Sequence, residues 1–294
     1  MDSLPSTFVD DVLRISKTDI LDNVSLLDSS LWSEIATEYR SSNALKDISW
    51  TRTSRDAVLN VPFRYRQLHT LNFNYRNPDD ALNAEESVTF LKEAFKSFNM
   101  FENTQICVSY DFPDELLAQI LHRVPELPQY CWKLTVSRIT TEVLNLFDLF
   151  LADGQLEDIS ITSSSREIPE PCKERLFSLI GDLILLKDAS ALYFPFVTLP
   201  ISVLEKVFSA WLADPSAFTE KRITAEIAKE DIAHFLKCFE GEAYHSYGRR
   251  HPSKKDFFAA IKYYTSDGPF YLCFFTSKGL NSSNEFLLND EYCF

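Results

Sequence analysis

The chain has 294 residues, enough for one large or two modest domains, and its 45% hydrophobic and 24% charged residues give an ordinary globular balance. A formal net charge of −14 works against general nucleic-acid binding, because a phosphate backbone is repelled on approach. With 24 Phe and only 6 Gly, the composition argues for a packed interior and against glycine-rich phosphate loops.

The opening residues carry a short apolar pattern. It runs from Leu4-Pro5 through Phe8, Val9, Val12, Leu13, Ile20, Leu21, Val24 and Leu27 to Trp32 and Ile35. The spacing predicts two or three small helices over residues 1–45, with more apolar surface than they bury against each other. Met1-Asp2-Ser3 is acidic, with no cationic stretch ahead of an apolar run, so no secretory signal is expected. No stretch approaches the roughly 20 apolar residues of a membrane span. Six scattered cysteines without a C-x-x-C pair suit buried thiols in a reducing compartment. An intracellular protein is expected, cytoplasmic or nuclear, without membrane contact.

Residues 46–66 form a mixed polar stretch and are predicted to be a connector, partly packed through Trp50, Val58, Val61 and Phe63. A repeating rhythm follows over residues 67–240. Strands are predicted near 68–73, 106–110, 132–136, 156–161, 191–196 and 222–227, with alternating apolar and polar residues at 68–73 and 156–161. Between them, helical spacing predicts helices near 88–98, 113–121, 141–153, 172–187 and 200–211, with a last one over 231–239. Pro113 and Pro200 stand where helices begin, and Thr140 or Thr141 stands where a cap is needed. A strand–helix unit cannot bury its own apolar face, so successive units must stack or wind. The expectation is an α/β fold: a small helical N-terminal module, then irregular strand–helix repeats, solenoid-like, with a mostly parallel sheet.

Residues 241–294 differ. Residues 246–255 are polar and basic and predict a loop. The aromatic and β-branched runs around Asp267-Gly268 predict a C-terminal aromatic β-hairpin.

The opening pattern resembles a divergent F-box. That motif begins with Leu-Pro, continues through an Ile-Leu pair and a Leu-rich helix, and reaches a Trp at about the distance that separates Leu4 from Trp32. The irregular repeats and aromatic hairpin also look like the divergent F-box-type proteins expanded in nematodes, with leucine-rich-repeat-like units. The resemblance implies a segment that binds the Skp-type adaptor of a cullin–RING ubiquitin ligase, through Leu4, Pro5, Phe8, Val12, Leu13, Leu21, Leu27 and Trp32. It also implies that the downstream repeats bind a protein substrate. The rival is that the same residues cap the repeats.

Chemistry is hard to find in the chain. No G-x-S-x-G, H-E-x-x-H, P-loop or G-x-G-x-x-G pattern occurs. His234 and Cys238 share a helical face but lack two further metal ligands. Asp10-Asp11, Asp79-Asp80 and Glu85-Glu86 suit solvated faces or helix starts. No cofactor is expected. Arg249, Arg250, Lys254 and Lys255 form the one basic island, a candidate dock for an acidic or phosphorylated peptide. The expected function is therefore a non-catalytic protein-interaction subunit, the substrate receptor of an SCF-type ligase. The alternatives are a scaffold with no ligase link, or an enzyme of a doubly wound α/β class.

Overall fold

A computed structural model describes residues 32–33, 47–59, 70–75, 78–97, 104–153, 155–163, 167–243, 246–263 and 270–276. The fold is α/β, and the chain divides into two compact units, residues 1–131 and 132–294.

The first unit holds three parallel strands in chain order: β1 (Asp47–Ser49), β2 (Thr70–Phe73) and β3 (Gln105–Val108). Three helices accompany them: α1 (Arg52–Leu59), α2 (Ala84–Ser97) and α3 (Asp114–Arg123). In β2 and β3 every second side chain is buried, the period-2 signature of a strand with one face on a core. That core is aromatic. Trp50 is fully buried, stacked on Phe73 at 4.1 Å and edge-on to Phe90 and Phe112 at 6.0 and 6.3 Å. Its indole N–H donates to Ser87 Oγ at 2.7 Å, which satisfies the one polar atom the ring brings inside. The segment expected to be a connector thus supplies a strand, a helix and the central core residue.

A reciprocal cap starts α2. Glu86 N donates to Asn83 Oδ1, and Asn83 N donates to Glu86 Oε2, both at 3.0 Å. The same carboxylate takes Arg52 through a two-pronged contact at 2.9 and 3.0 Å. These bonds hold the Glu86 carboxyl below its usual range, the Arg52 hydrogen bond most of all.

The second unit begins with four parallel strands in chain order: β4 (Lys133–Val136), β5 (Asp158–Ile161), β6 (Ala191–Leu199) and β7 (Arg222–Ile227). Their connections are α4 (Thr141–Asp153), α5 (Glu170–Leu185) and α6 (Ile201–Ala213), and α7 (Lys229–Leu236) follows β7. Thr140 caps α4, its hydroxyl accepting from Val143 N at 3.3 Å. The helices lie side by side in chain order, tied by Arg175 to Asp148, Lys206 to Asp182 at 2.7 Å and His234 to Glu205 at 2.9 Å. Strands added in sequence, with right-handed crossovers, place every helix on the same side of the sheet. That side is the core, where Leu134, Ile159, Leu192 and Ile223 sit opposite one another in register.

Beyond β7 the sheet turns antiparallel, in the order β7, β11 (Phe270–Thr276), β10 (Phe257–Tyr263), β9 (Ser246–Arg250), β8 (Glu240–Ala243). The pair β10–β11 is the aromatic hairpin expected from sequence, inserted beside β7. Residues 246–250, expected to be loop, are strand β9, which pairs with β10 along its length.

The candidate protein-interaction surface

The side of the second unit's sheet away from the helices is built by the alternate residues of each strand. In register these are Lys133, Asp158, Ala191 and Arg222 in one row, and Thr135, Ser160, Tyr193 and Thr224 in the next. Apart from Tyr193 these side chains are polar or small, and Lys133, Thr135, Asp158, Ser160, Ala191 and Arg222 reach solvent at least in part, while Thr224 is buried. Two large exceptions stand on it. Tyr193 is 45% exposed and Phe196 52% exposed, whereas most large hydrophobic residues described are buried.

Both lie on β6, and an odd spacing of three residues should point them to opposite faces. A β-bulge resolves this. The β6–β7 register shifts between Phe194 and Thr198, with Pro195 inside it. Pro cannot donate to the ladder and is accommodated where pairing is interrupted. Three residues of β6, from Pro195 to Val197, lie between partners that are consecutive on β7, and this odd insertion resets the alternation, so Phe194 and Val197 stay in the core while Tyr193 and Phe196 share the open side.

The charges of this face are mostly committed. Lys133 Nζ holds Asp158 at 2.9 Å, and Thr198 Oγ1 donates to Glu226 Oε2 at 3.1 Å. Arg222 is exposed at the end of β7, and among the described residues its guanidinium has no ion pair. Sequence reasoning singled out none of Tyr193, Phe196 and Arg222. The usable signal was a proline inside a strand pattern, which marks a break in alternation.

Of the residues tied to adaptor binding, Leu4, Pro5, Phe8, Val12, Leu13, Leu21 and Leu27 lie outside the described residues. Trp32 is described. It is helical, 9% exposed, and its indole nitrogen is buried without a hydrogen-bond partner.

The basic island is divided by its strand. Arg249 and Arg250 are consecutive on β9 and project to opposite faces. Arg249 points to the helix side, donating to the Cys238 carbonyl at 2.8 Å and lying 5.5 Å over the Phe208 ring. Arg250 points to the other side, 5.0 Å over Phe258, its register partner on β10. Lys254 pairs with Asp214 at 3.2 Å, and Lys255 is exposed. The intervening turn is pinned by His251, which is 3% exposed. Its Nδ1 accepts from Ser253 N at 3.3 Å and Lys254 N at 3.0 Å, so the network places the proton on Nε2, which donates to the Leu212 carbonyl at 2.9 Å. Arg249 is thereby a packing residue, and the four cations do not converge on one ligand.

The other flagged groups are also committed. His234 contacts Glu205, Glu85 pairs with Arg123 at 2.7 Å and Glu86 with Arg52. Asp10 and Asp11 lie outside the described residues. No cluster of three metal-ligating side chains occurs among the described residues, and no helix among them is long and apolar enough to cross a membrane. Burial pushes the thiol of Cys131 up and that of Cys273 to about 11, which keeps both protonated at neutral pH. Comparison with protein families, with curated proteins and with solved structures found no match, so what this surface does must be argued from its own residues.

Proposed function

We propose that the chain is a non-catalytic protein-interaction subunit, the substrate receptor of an SCF-type ubiquitin ligase. The observation that carries the interaction part is the pair Tyr193 and Phe196, two large side chains left in solvent on one sheet face. The ligase part is supported by the order and spacing of the opening residues, Leu4-Pro5 through Trp32, which resemble an F-box. Sequential strand–helix units with the helices on one side also suit a solenoid-like, leucine-rich-repeat-like receptor, in which each unit buries its face on the next. The mechanism is proximity. One end holds a Skp-type adaptor, the other a target, and the target's effective concentration near the ligase rises.

The burial of Trp32 favours a second reading, a scaffold in which the opening segment caps its own chain, since a ring 9% exposed has little surface left for a partner. Co-purification of the full chain with a Skp-type adaptor separates the two. Retention at micromolar concentration, lost in Leu4→Asp and Phe8→Asp variants that keep the wild-type melting curve, is the receptor result. No retention of the adaptor by wild-type protein removes the ligase reading and leaves the scaffold.

A further inference from the structure

The open sheet face carries more than exposed aromatic surface. We propose that β6 and β7 dock an extended acidic segment of a protein partner, with its carboxylate on Arg222 and its apolar side chains on Tyr193 and Phe196. This deepens the reading of the chain as an interaction subunit and rests on it.

Charge complementarity selects the partner. On the four parallel strands of this face the charged residues are Lys133, Asp158, Arg222 and Glu226. Asp158 already holds Lys133, and Glu226 already accepts from Thr198. Arg222 is left with its guanidinium exposed, and its planar fork matches a carboxylate with two parallel hydrogen bonds. A polyanion such as nucleic acid is a poor fit, because a chain of net charge −14 repels it at long range. A single carboxylate is governed by its local contact, since charges beyond a Debye length of about 8 Å are screened at physiological salt.

Register sets the spacing. Arg222 is opposite Ala191, and Tyr193 is opposite Thr224, so Tyr193 stands one pleat further along. Ala191 leaves no bulk between the Lys133–Asp158 pair and Arg222. Phe196 follows within the bulge, before Thr198 and Glu226 come into register. At about 3.3 Å per residue the three contacts span roughly 13 Å, a reach of about four residues of extended chain. A matching segment places an acidic residue, then apolar residues about two and four positions away. Ser160 and Thr224 flank the Tyr193 position in the same row, Ser160 half-buried and Thr224 buried, so the contact on this row is Tyr193 itself. Aromatic platforms with a polar handle and a neighbouring Arg are the composition enriched where binding energy concentrates.

The test is selection of a displayed library of nine-residue random peptides on the immobilised full chain. A selected peptide is then synthesised with a fluorophore, and its affinity is measured by anisotropy. The expected consensus has an Asp or Glu about two residues from an apolar position. Arg222→Gln should weaken the peptide about tenfold at low salt, with the loss shrinking at 0.5 M salt, where screening removes the charge term. Tyr193→Ala and Phe196→Ala should each weaken it several-fold, and Lys206→Gln on the helix layer should leave it unchanged. Replacing the acidic peptide residue by its amide reads the same contact on wild-type protein, so a variant that fails to fold does not block the test. The proposal is overturned if no peptide is selected, if the consensus is basic or lacks an acid, or if the amide peptide binds as tightly as its parent. The adaptor experiment addresses the opening segment alone, so either result can fail while the other stands.

Discussion

Lys221 offers the sharpest check on the energetics of the second unit. Its side chain is 1% exposed, in the turn ahead of β7. The ammonium caps the C-terminal end of α5, donating to the carbonyls of Ile184 at 2.8 Å and Leu186 at 2.5 Å, and it lies 5.5 Å over the Phe218 ring. A cation at a helix C-terminus faces the negative end of the dipole. Burial nonetheless dominates and lowers the pKa from 10.5 to about 8, with Asp188 opposing in part. A lysine with a lowered folded pKa binds fewer protons folded than unfolded between those two values. Stability therefore rises with pH across that window, and below about pH 8 the fold carries the whole desolvation penalty. The gap between 10.5 and about 8 corresponds to roughly 3 kcal/mol. In Lys221→Met the penalty disappears, but the two carbonyls lose their donor, at about 1–3 kcal/mol for each group left unsatisfied. The opposing effects nearly cancel at pH 7. At pH 10 the neutral amine still donates in the wild type while its penalty is largely gone, so wild type gains on the variant by about 2–3 kcal/mol. Urea unfolding followed by circular dichroism at pH 7, 8, 9 and 10 measures this, and subtracting the variant removes every titration common to both proteins. A difference between the two that stays flat from pH 7 to 10 refutes the assignment of Lys221 as a buried, penalised cap.

Trp50→Ala should destabilise the first unit by about 3–5 kcal/mol, because it empties the aromatic centre and strands the Ser87 hydroxyl; near-ultraviolet circular dichroism during urea unfolding reads this. Asn83→Ala should cost about 1 kcal/mol through loss of the reciprocal cap on α2, measured as a shift in the urea midpoint with unchanged slope. Glu220 has φ of 62°, a left-handed conformation that side chains resist, so Glu220→Gly should be neutral or stabilising by up to about 1 kcal/mol in the same assay. Arg249→Ala should destabilise by about 1–2 kcal/mol while leaving acidic-peptide affinity unchanged, as expected of a residue packed on Phe208 and hydrogen-bonded to Cys238.

The parallel strands were legible because their chemistry alternates. Leu134 and Val136, or Ile159 and Ile161, are separated by polar residues, and a period of two has one physical meaning. Helices α3 and α6 were legible for a similar reason, with proline immediately before each first turn. Strand β1 was not, because three residues with a single apolar side chain carry no measurable period; it exists because β2 offers it a parallel edge and Trp50 fixes it to the core. Strand β9 was hidden similarly, since Ser246–Arg250 lacks apolar alternation and becomes a strand through pairing with β10. The division at residues 131 and 132 falls inside an unbroken strand–helix rhythm, with no change of composition to mark it.

The candidate surface was concealed by two features that act in opposite directions. A run of basic letters looks like one charged patch, yet strand pleating sends Arg249 into the packing and Arg250 to the other face, so proximity in sequence became separation in space. A run of apolar letters from Ala191 to Leu199 looks like a strand buried on both sides, yet the three residues inserted from Pro195 to Val197 realigned Tyr193 and Phe196 onto the open face. Bulged strands bend and re-aim side chains, and the energetic consequence here is specific. Two large aromatic side chains forgo burial, each worth about 1.5–3 kcal/mol if enclosed, while their neighbours Phe194 and Val197 are sealed completely. Because both rings already stand in solvent, Tyr193→Ser/Phe196→Ser should leave stability within about 0.5 kcal/mol of wild type in urea unfolding. If the exposed pair is what a partner contacts, this double variant should abolish peptide binding, whereas Pro195→Ala, which keeps the residue count and the register shift, should retain it. Equal binding by both variants would show that the aromatic pair is incidental to recognition.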